Sequence, residues 1–365
     1  MKVICTQENL KAGLSSVGRI IGSSNTLPIL NNILLKTENG QLKISSTNLE
    51  IAITTNIRCK VEEEGAVTVV SKTLIDLVNN LPSKNISLNS ENGELFVDSE
   101  NYHTKIKTLP AEDFPLIPSV EDGFALSVDS QELKNAIDQV FFAASTNQTQ
   151  PEISGVLFAI EKQGLRIAAT DRYRLAEKKL PLSKTAEPKE FILPQKTIVE
   201  VSRIIGNQKG NVEMVFSETQ ALVSFNETQI VSRLVDGQYP DYRQIIPSSF
   251  TTTVITEKTP LIGALKAASV FSQNTNSIKV DFSSAKQQLV LTSESSDLGK
   301  SSVELPAKIS GPDVSLVLNF HYLLDCFTSI DSKNVVVKII DDNSASLIVP
   351  EDKNDYTYLV MPIKS

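Results

Sequence analysis

The chain has no tryptophan, only two histidines and three cysteines in 365 residues, and aromatic side chains make up 6%. Its cores must therefore rest on Leu, Ile and Val. Cys5, Cys59 and Cys326 lie far apart, which excludes a disulfide framework and points to a reducing compartment, the cytoplasm. No His/Cys cluster has zinc-site spacing, and no G-x-x-x-x-G-K-[ST] loop or G-x-G-x-x-G turn is present. No apolar run is long enough for a membrane-spanning helix. Met1-Lys2-Val3-Ile4-Cys5 lacks the basic and apolar regions of a signal peptide.

The length exceeds one ordinary core and implies two or three domains. Hydrophobic residues at 41% suffice to fill each of them. The net charge of −8 argues against nucleic acid as a partner only if charge is spread evenly. A surface acidic outside and mildly basic within satisfies both.

Three internal copies are present. Leu10, Leu14 and Val17 form a helical apolar stripe, which Leu133, Ile137 and Val140 repeat 123 positions later. The same offset relates Thr26-Leu27-Pro28 to Thr149-Gln150-Pro151, Ile33-Leu34-Leu35 to Val156-Leu157-Phe158, and Leu42-Lys43-Ile44 to Leu165-Arg166-Ile167. Leu261, Leu265 and Ala268 start a fainter third copy, followed by Val280-Asp281-Phe282 and Leu289-Val290-Leu291. Each copy adds a second helix, with stripes Leu74/Leu77/Leu81, Ile198/Val201/Ile205 and Leu323/Cys326/Ile330. Alternating segments such as Ile51-Ala52-Ile53-Thr54 and Val335-Val336-Val337-Lys338-Ile339 read as strands. The expected fold class is α+β, in three domains at 1–120, 126–250 and 251–365. Pro-rich stretches at Leu109–Pro118 and Tyr239–Pro247 form stiff connections.

Catalytic constellations are missing. His103 falls in an edge strand and His321 at a helix start, both positions for solvated polar groups. Glu62-Glu63-Glu64 before Gly65 reads as a solvated turn. Asp171, in Ala169–Ala176, is the most enzyme-like carboxylate, but arginines flank it and no second acid is near; it reads as a turn residue or ion-pair partner. Neither a cofactor nor a metal is expected.

The threefold repeat, the segments Ala169–Ala176 and Asp236–Arg243, the terminal Val360-Met361-Pro362 and the start Thr26–Asn32 together resemble the β subunit of bacterial DNA polymerase III. The resemblance spans the chain. It implies a head-to-tail homodimer closing a ring of six domains around double-stranded DNA without sequence preference. Such a ring is non-catalytic and holds the replicative polymerase, the clamp loader and repair proteins through short motifs carrying Leu and Phe. A heterologous interface that closes after two copies makes a ring rather than a filament.

By that resemblance, the helices line the hole, with Lys11, Arg19, Lys72, Lys196, Arg203 and Lys266 facing DNA; Lys11, Ser15 and Arg19 share a stripe. Ser23-Ser24-Asn25 stands where the family often has an arginine. A groove for partner peptides would be lined by Ile153, Thr170, Tyr173, Arg174, Leu175, Pro240, Ile245, Ser346, Val360, Met361, Pro362 and Ile363. Arg172 replaces the usual small residue after the Asp, and Gln244 a basic one, so peptide preference is expected to differ. The dimer interface would bury Thr104, Ile106, Val270 and Phe271, with the strand Asn101–Thr108 pairing edge to edge. The competing readings are a monomeric three-domain replication or repair scaffold that never closes a ring and, more remotely, a nucleic-acid hydrolase using Asp171.

Overall fold

The computed structural model describes residues 1–22, 27–147, 149–162, 164–182, 187–272 and 276–363. Two compact units divide it: Met1–Gln131 with Glu200–Leu234, and Glu132–Val199 with Val235–Ser365. Among the described residues the longer helices are α1 (Gln7–Val17), α2 (Ser71–Asn80), α3 (Ser130–Val140), α5 (Gln195–Ile205), α6 (Lys258–Ser269) and α7 (Phe320–Ser329); α4 (Pro151–Ser154) is a single turn.

The repeat stripes become core. Thr6 caps α1 by accepting from the Asn9 N–H at 3.2 Å, and Leu10, Leu14 and Val17 are buried. Each such side chain stabilises by about 2 kcal/mol. Gly13 on the same face admits Ile57 so closely that an added Cβ would lie 2.7 Å from Ile57 Cγ2. In α2 the stripe is shifted from expectation: Leu74, Val78 and Leu81 are buried while Leu77 is half-buried, because positions four apart stay closer to one face than positions three apart. α5, α6 and α7 bury the expected residues.

The first unit contains a 13-stranded sheet and the second a nine-stranded and a four-stranded sheet. Asn39-Gly40 and Asn92-Gly93 turn two of the hairpins with positive φ at both residues. Glu62 and Glu63 are not a turn, as expected from sequence, but end the strand Lys60–Glu63, where Glu62 pairs with Lys2 and Lys60 at 3.1 and 2.9 Å.

What joins the repeats is strand pairing. In the first unit Ile51–Arg58, of the first copy, runs antiparallel to Thr228–Arg233, of the second, with Ile51 opposite Ser232. In the second unit Arg174–Pro181 runs antiparallel to Tyr356–Val360, with Arg174 opposite Val360. The same strand of the repeat is used at both seams, and each sheet therefore crosses from one copy into the next.

Candidate functional site

The twelve residues expected to line a peptide groove fall within the second unit, some buried and some exposed. Ile153, Thr170, Leu175, Ser346 and Val360 are buried, with Val360 between Arg174 and Ser346 on adjacent strands. Tyr173, Ile245, Met361 and Ile363 are 63%, 58%, 37% and 39% exposed; Pro240 is exposed and Pro362 half-buried. The terminal segment is tied down at both ends. The Met361 N–H donates to the Tyr173 carbonyl and the Ile363 N–H to the Val317 carbonyl, each at 2.8 Å. Lys364 and Ser365 lie outside the described residues.

The connection carrying Pro240 and Ile245 is anchored by two tyrosines the sequence reading missed. Tyr239 and Tyr242 are buried, edge to face at 6.2 Å, against Leu157, Leu175, Leu347 and Leu359. The Tyr242 hydroxyl donates to Glu177 Oε2 at 2.7 Å, and burial together with that carboxylate pushes it well up from its ordinary value. Arg166 closes the network, reaching Glu177 at 3.1 Å and Glu161 at 3.0 Å, while Arg243 bonds Glu161 at 2.8 Å. One buried hydroxyl among the expected lining residues, Ser346 Oγ, has no hydrogen-bond partner among the described residues. Such groups are uncommon and costly.

Asp171 has no free chemistry. Its Oδ1 accepts from the Tyr173 and Arg174 N–H groups at 3.0 and 2.9 Å, and its Oδ2 from Arg174 Nε at 3.0 Å. Asn48, 123 positions earlier, accepts from Glu50 and Ile51 in the same way, and Thr47 and Thr170 bond the carbonyls of Ile51 and Arg174 alike. Where an amide serves as well as a carboxylate, the role is a turn. Arg174, expected in the groove wall, is held by several partners. Its guanidinium reaches Asp325 Oδ2 at 2.6 Å and the Phe142 carbonyl at 2.8 Å, and it lies 4.3 Å from the Tyr322 ring centroid. These contacts tie it to the third copy across the second seam.

Lys11, Arg19, Lys72, Lys196 and Lys266 are exposed and pair with no described residue. Arg203 is different. Its Nε binds Glu200 at 2.7 Å, and its Nη atoms donate to the Ser15 and Ser16 carbonyls at 3.2 and 2.7 Å. It caps the negative end of α1 rather than standing free for a phosphate.

Of the residues expected at a dimer interface, Thr104 and Ile106 lie on the strand Tyr102–Leu109, one residue later than expected. Its one edge pairs with Glu94–Ser99, while the other, among the described residues, pairs only at Thr108 and Leu109. Val270 is 50% exposed just past α6, and Phe271 is half-buried. The strand Gly299–Pro306, which the sequence reading did not single out, pairs only with Gln288–Ser295 among the described residues. It occupies the position in the third copy that Arg174–Pro181 holds in the second, and that correspondence was its available signal. His103 sits on the open strand with Nδ1 2.8 Å from Asp98, and His321 is exposed at the start of α7.

Family models of the N-terminal, central and C-terminal domains of the DNA polymerase III beta subunit match residues 1–118, 127–241 and 243–364. The chain belongs to the DNA polymerase III beta subunit family. A beta sliding clamp of Synechocystis is 30% identical over all of this chain and 99% of its own, and one of Staphylococcus aureus is 26% identical over 96% of each. The beta subunit of Thermotoga maritima superposes with a TM-score of 0.93 at 27% identity, over 100% of this chain and 99% of its own. A Pseudomonas aeruginosa sliding clamp solved bound to griselimycin gives 0.95 at 27%, covering both chains fully. The fold is the three-domain α+β clamp, and the protein is a non-catalytic sliding clamp, acting with DNA polymerase III as a dimeric ring that encircles DNA. No described helix is long and apolar enough to cross a membrane.

Proposed function

We propose that this clamp is cytoplasmic and closes its ring by repeating, between chains, the seam it uses twice within itself, with domains at 1–120, 126–250 and 251–365. The carrying observation is the pair of open edges. Among the described residues, the first copy leaves one edge of Tyr102–Leu109 unpaired over most of its length and the third leaves one edge of Gly299–Pro306 unpaired, each the counterpart of a strand already paired at an internal seam. Transferring the internal register sets Gly299 opposite Ile106, Ser301 opposite Thr104 and Val303 opposite Tyr102 of the partner chain. Val270 and Phe271 would flank that interface. An open edge of this length otherwise invites aggregation.

Within the ring, Lys11, Arg19, Lys72, Lys196 and Lys266 supply a weakly basic wall that neutralises phosphates without reading bases. The groove of the second unit takes a segment carrying Leu and Phe from polymerase, clamp loader or repair proteins. Its exposed Tyr173, Ile245, Met361 and Ile363 form an apolar rim over a rigid floor, and Met adapts to different ligands.

The test is a double variant, Thr104→Cys with Ser301→Cys. Under mild oxidation it should form a covalent ring that stays on circular DNA through high salt and is lost on linearisation. Failure to cross-link, with either single variant behaving alike, removes the proposed register. Deleting residues from Val360 onward should abolish binding of a Leu/Phe peptide while the dimer persists on sizing; retained binding removes the groove.

A further inference from the structure

Among the described residues, the rim of the proposed groove has one arginine without a partner. Arg174 is held by Asp171, Asp325 and the Phe142 carbonyl, Arg243 by Glu161, and Gln244, neutral, bonds Asp241. Arg172 is exposed at the tip of the hairpin, between Asp171 and Tyr173, and its side chain makes no ion pair or hydrogen bond with a described residue. Only its backbone N–H is bound, to Thr170 Oγ1 at 3.1 Å. Asp171, the nearest carboxylate in sequence, has both oxygens occupied. The backbone turn is the same at Leu49 in the first copy, with φ 75° against 77°, so the conformation does not call for a charge. Only the side chain differs, apolar in one tip and cationic in the other.

The tip also adjoins the terminal segment, through the Met361 N–H to Tyr173 carbonyl bond. Any peptide lying on Tyr173 and Met361 therefore passes within a few residues of Arg172. A guanidinium at the edge of an apolar surface is attracted most strongly to a carboxylate that is partly shielded from water as the ligand binds.

We infer that Arg172 is a specificity-determining residue of the groove, selecting partner segments that place an aspartate or glutamate side chain beside the apolar anchors. The inference rests on the groove assignment above. Its contribution is modest because Arg172 is exposed, and it weakens with salt.

The experiment uses the full-length clamp and synthetic peptides with Leu and Phe anchors and amidated C-termini, so that no terminal carboxylate competes. A single Asp, or Asn as its uncharged control, is scanned through the positions flanking the anchors, and affinity is read by fluorescence polarisation. At one position the Asp peptide should bind the unaltered clamp roughly three- to tenfold more tightly than the Asn peptide. That ratio should fall toward one with Arg172→Gln, invert with Arg172→Glu, and shrink in high salt. A merely structural role for Arg172 would change both affinities together and leave the ratio alone. An Asp/Asn ratio unchanged by Arg172→Gln, or a ratio of one at every position, overturns the inference while the groove stands, provided Ile245→Asp abolishes binding of both peptides. Failure of every peptide to bind the unaltered clamp overturns the groove assignment and the inference with it.

Discussion

The two internal seams use the same strand pairing and finish it with opposite chemistry. At the first, Ile51–Arg58 meets Thr228–Arg233, and the polar contact across the pairing is between the Thr55 and Thr228 hydroxyls at 2.9 Å. The connection at 111–121 crosses this sheet with Phe114 and Val120 buried and Leu116 almost fully exposed, over an open recess of about 580 Å³ lined by Leu34, Ser45, Thr54, Leu222 and Val231. At the second, the corresponding positions are Leu157, Ala168, Glu177, Leu347 and Leu359, and Tyr239 and Tyr242 pack on them. Strand pairing is common to both seams; the buried tyrosines and the Glu177 network are an addition at the second.

The sharpest way to break that contrast is at Glu177, which is 2% exposed and serves Arg166 and Tyr242 at once. Glu177→Ala leaves a largely buried guanidinium half-compensated and a phenol unpaired, at a cost of about 3 kcal/mol. Thr54→Ala at the matching place in the first seam breaks one hydroxyl contact to Ser45 and should cost about 1 kcal/mol. Chemical denaturation of the two variants measures the difference. Equal losses would mean that the network holds nothing.

Arg174 comes next. Arg174→Ala removes bonds to Asp171, Asp325 and the Phe142 carbonyl from a side chain only 11% exposed, for about 2 kcal/mol by denaturation. Its nearest functional counterpart at the first seam is Arg203, which caps α1 and pairs with Glu200. Arg203→Ala should cost only about 1 kcal/mol, since it sits at a helix end and retains water access. Lys196→Glu changes an exposed, unpaired side chain and should leave stability within about 0.5 kcal/mol, yet slow loading onto DNA in a clamp-loading assay.

The seams also show what could be read in the sequence. The offset of 123 located the helices, and the apolar stripes gave the core, because burial imposes a period that survives divergence. Motif order brought Leu175, Ser346 and Val360 together, since they occupy fixed places in adjacent strands. The partners that Arg174 and Arg203 find were not legible, for a common reason. A long cation that looks free on a helix or hairpin can bend back onto carbonyls and carboxylates of the neighbouring copy, and nothing in local periodicity announces the partner. Tyr242 and Glu177 lie 65 residues apart, and Gly299–Pro306 has an alternating pattern too weak to distinguish an open edge from a paired one. Contacts made across copies are what sequence reading leaves out.

The smallest effect separates the seams by pH. The Glu161 carboxyl is held below its usual range, chiefly by the hydrogen bond from Arg166, with Arg243 adding to it. A depressed carboxylate contributes stability that is present above its unfolded value of about 4.3 and is lost as pH falls through the folded value. Acid should therefore release Arg243, and with it the connection at Tyr242–Ile245, while the connection at 111–114, which has no ion pair of this kind among the described residues, keeps its exchange behaviour. Hydrogen exchange compared at about pH 6 and pH 3.5, corrected for intrinsic rates, should show protection falling at 242–245 and staying level at 111–114. Since Glu161 is partly exposed, the change amounts to tenths of a kcal/mol, and Glu161→Gln should abolish it. A parallel loss at both connections would locate the acid sensitivity in the sheets rather than in the network beneath the groove.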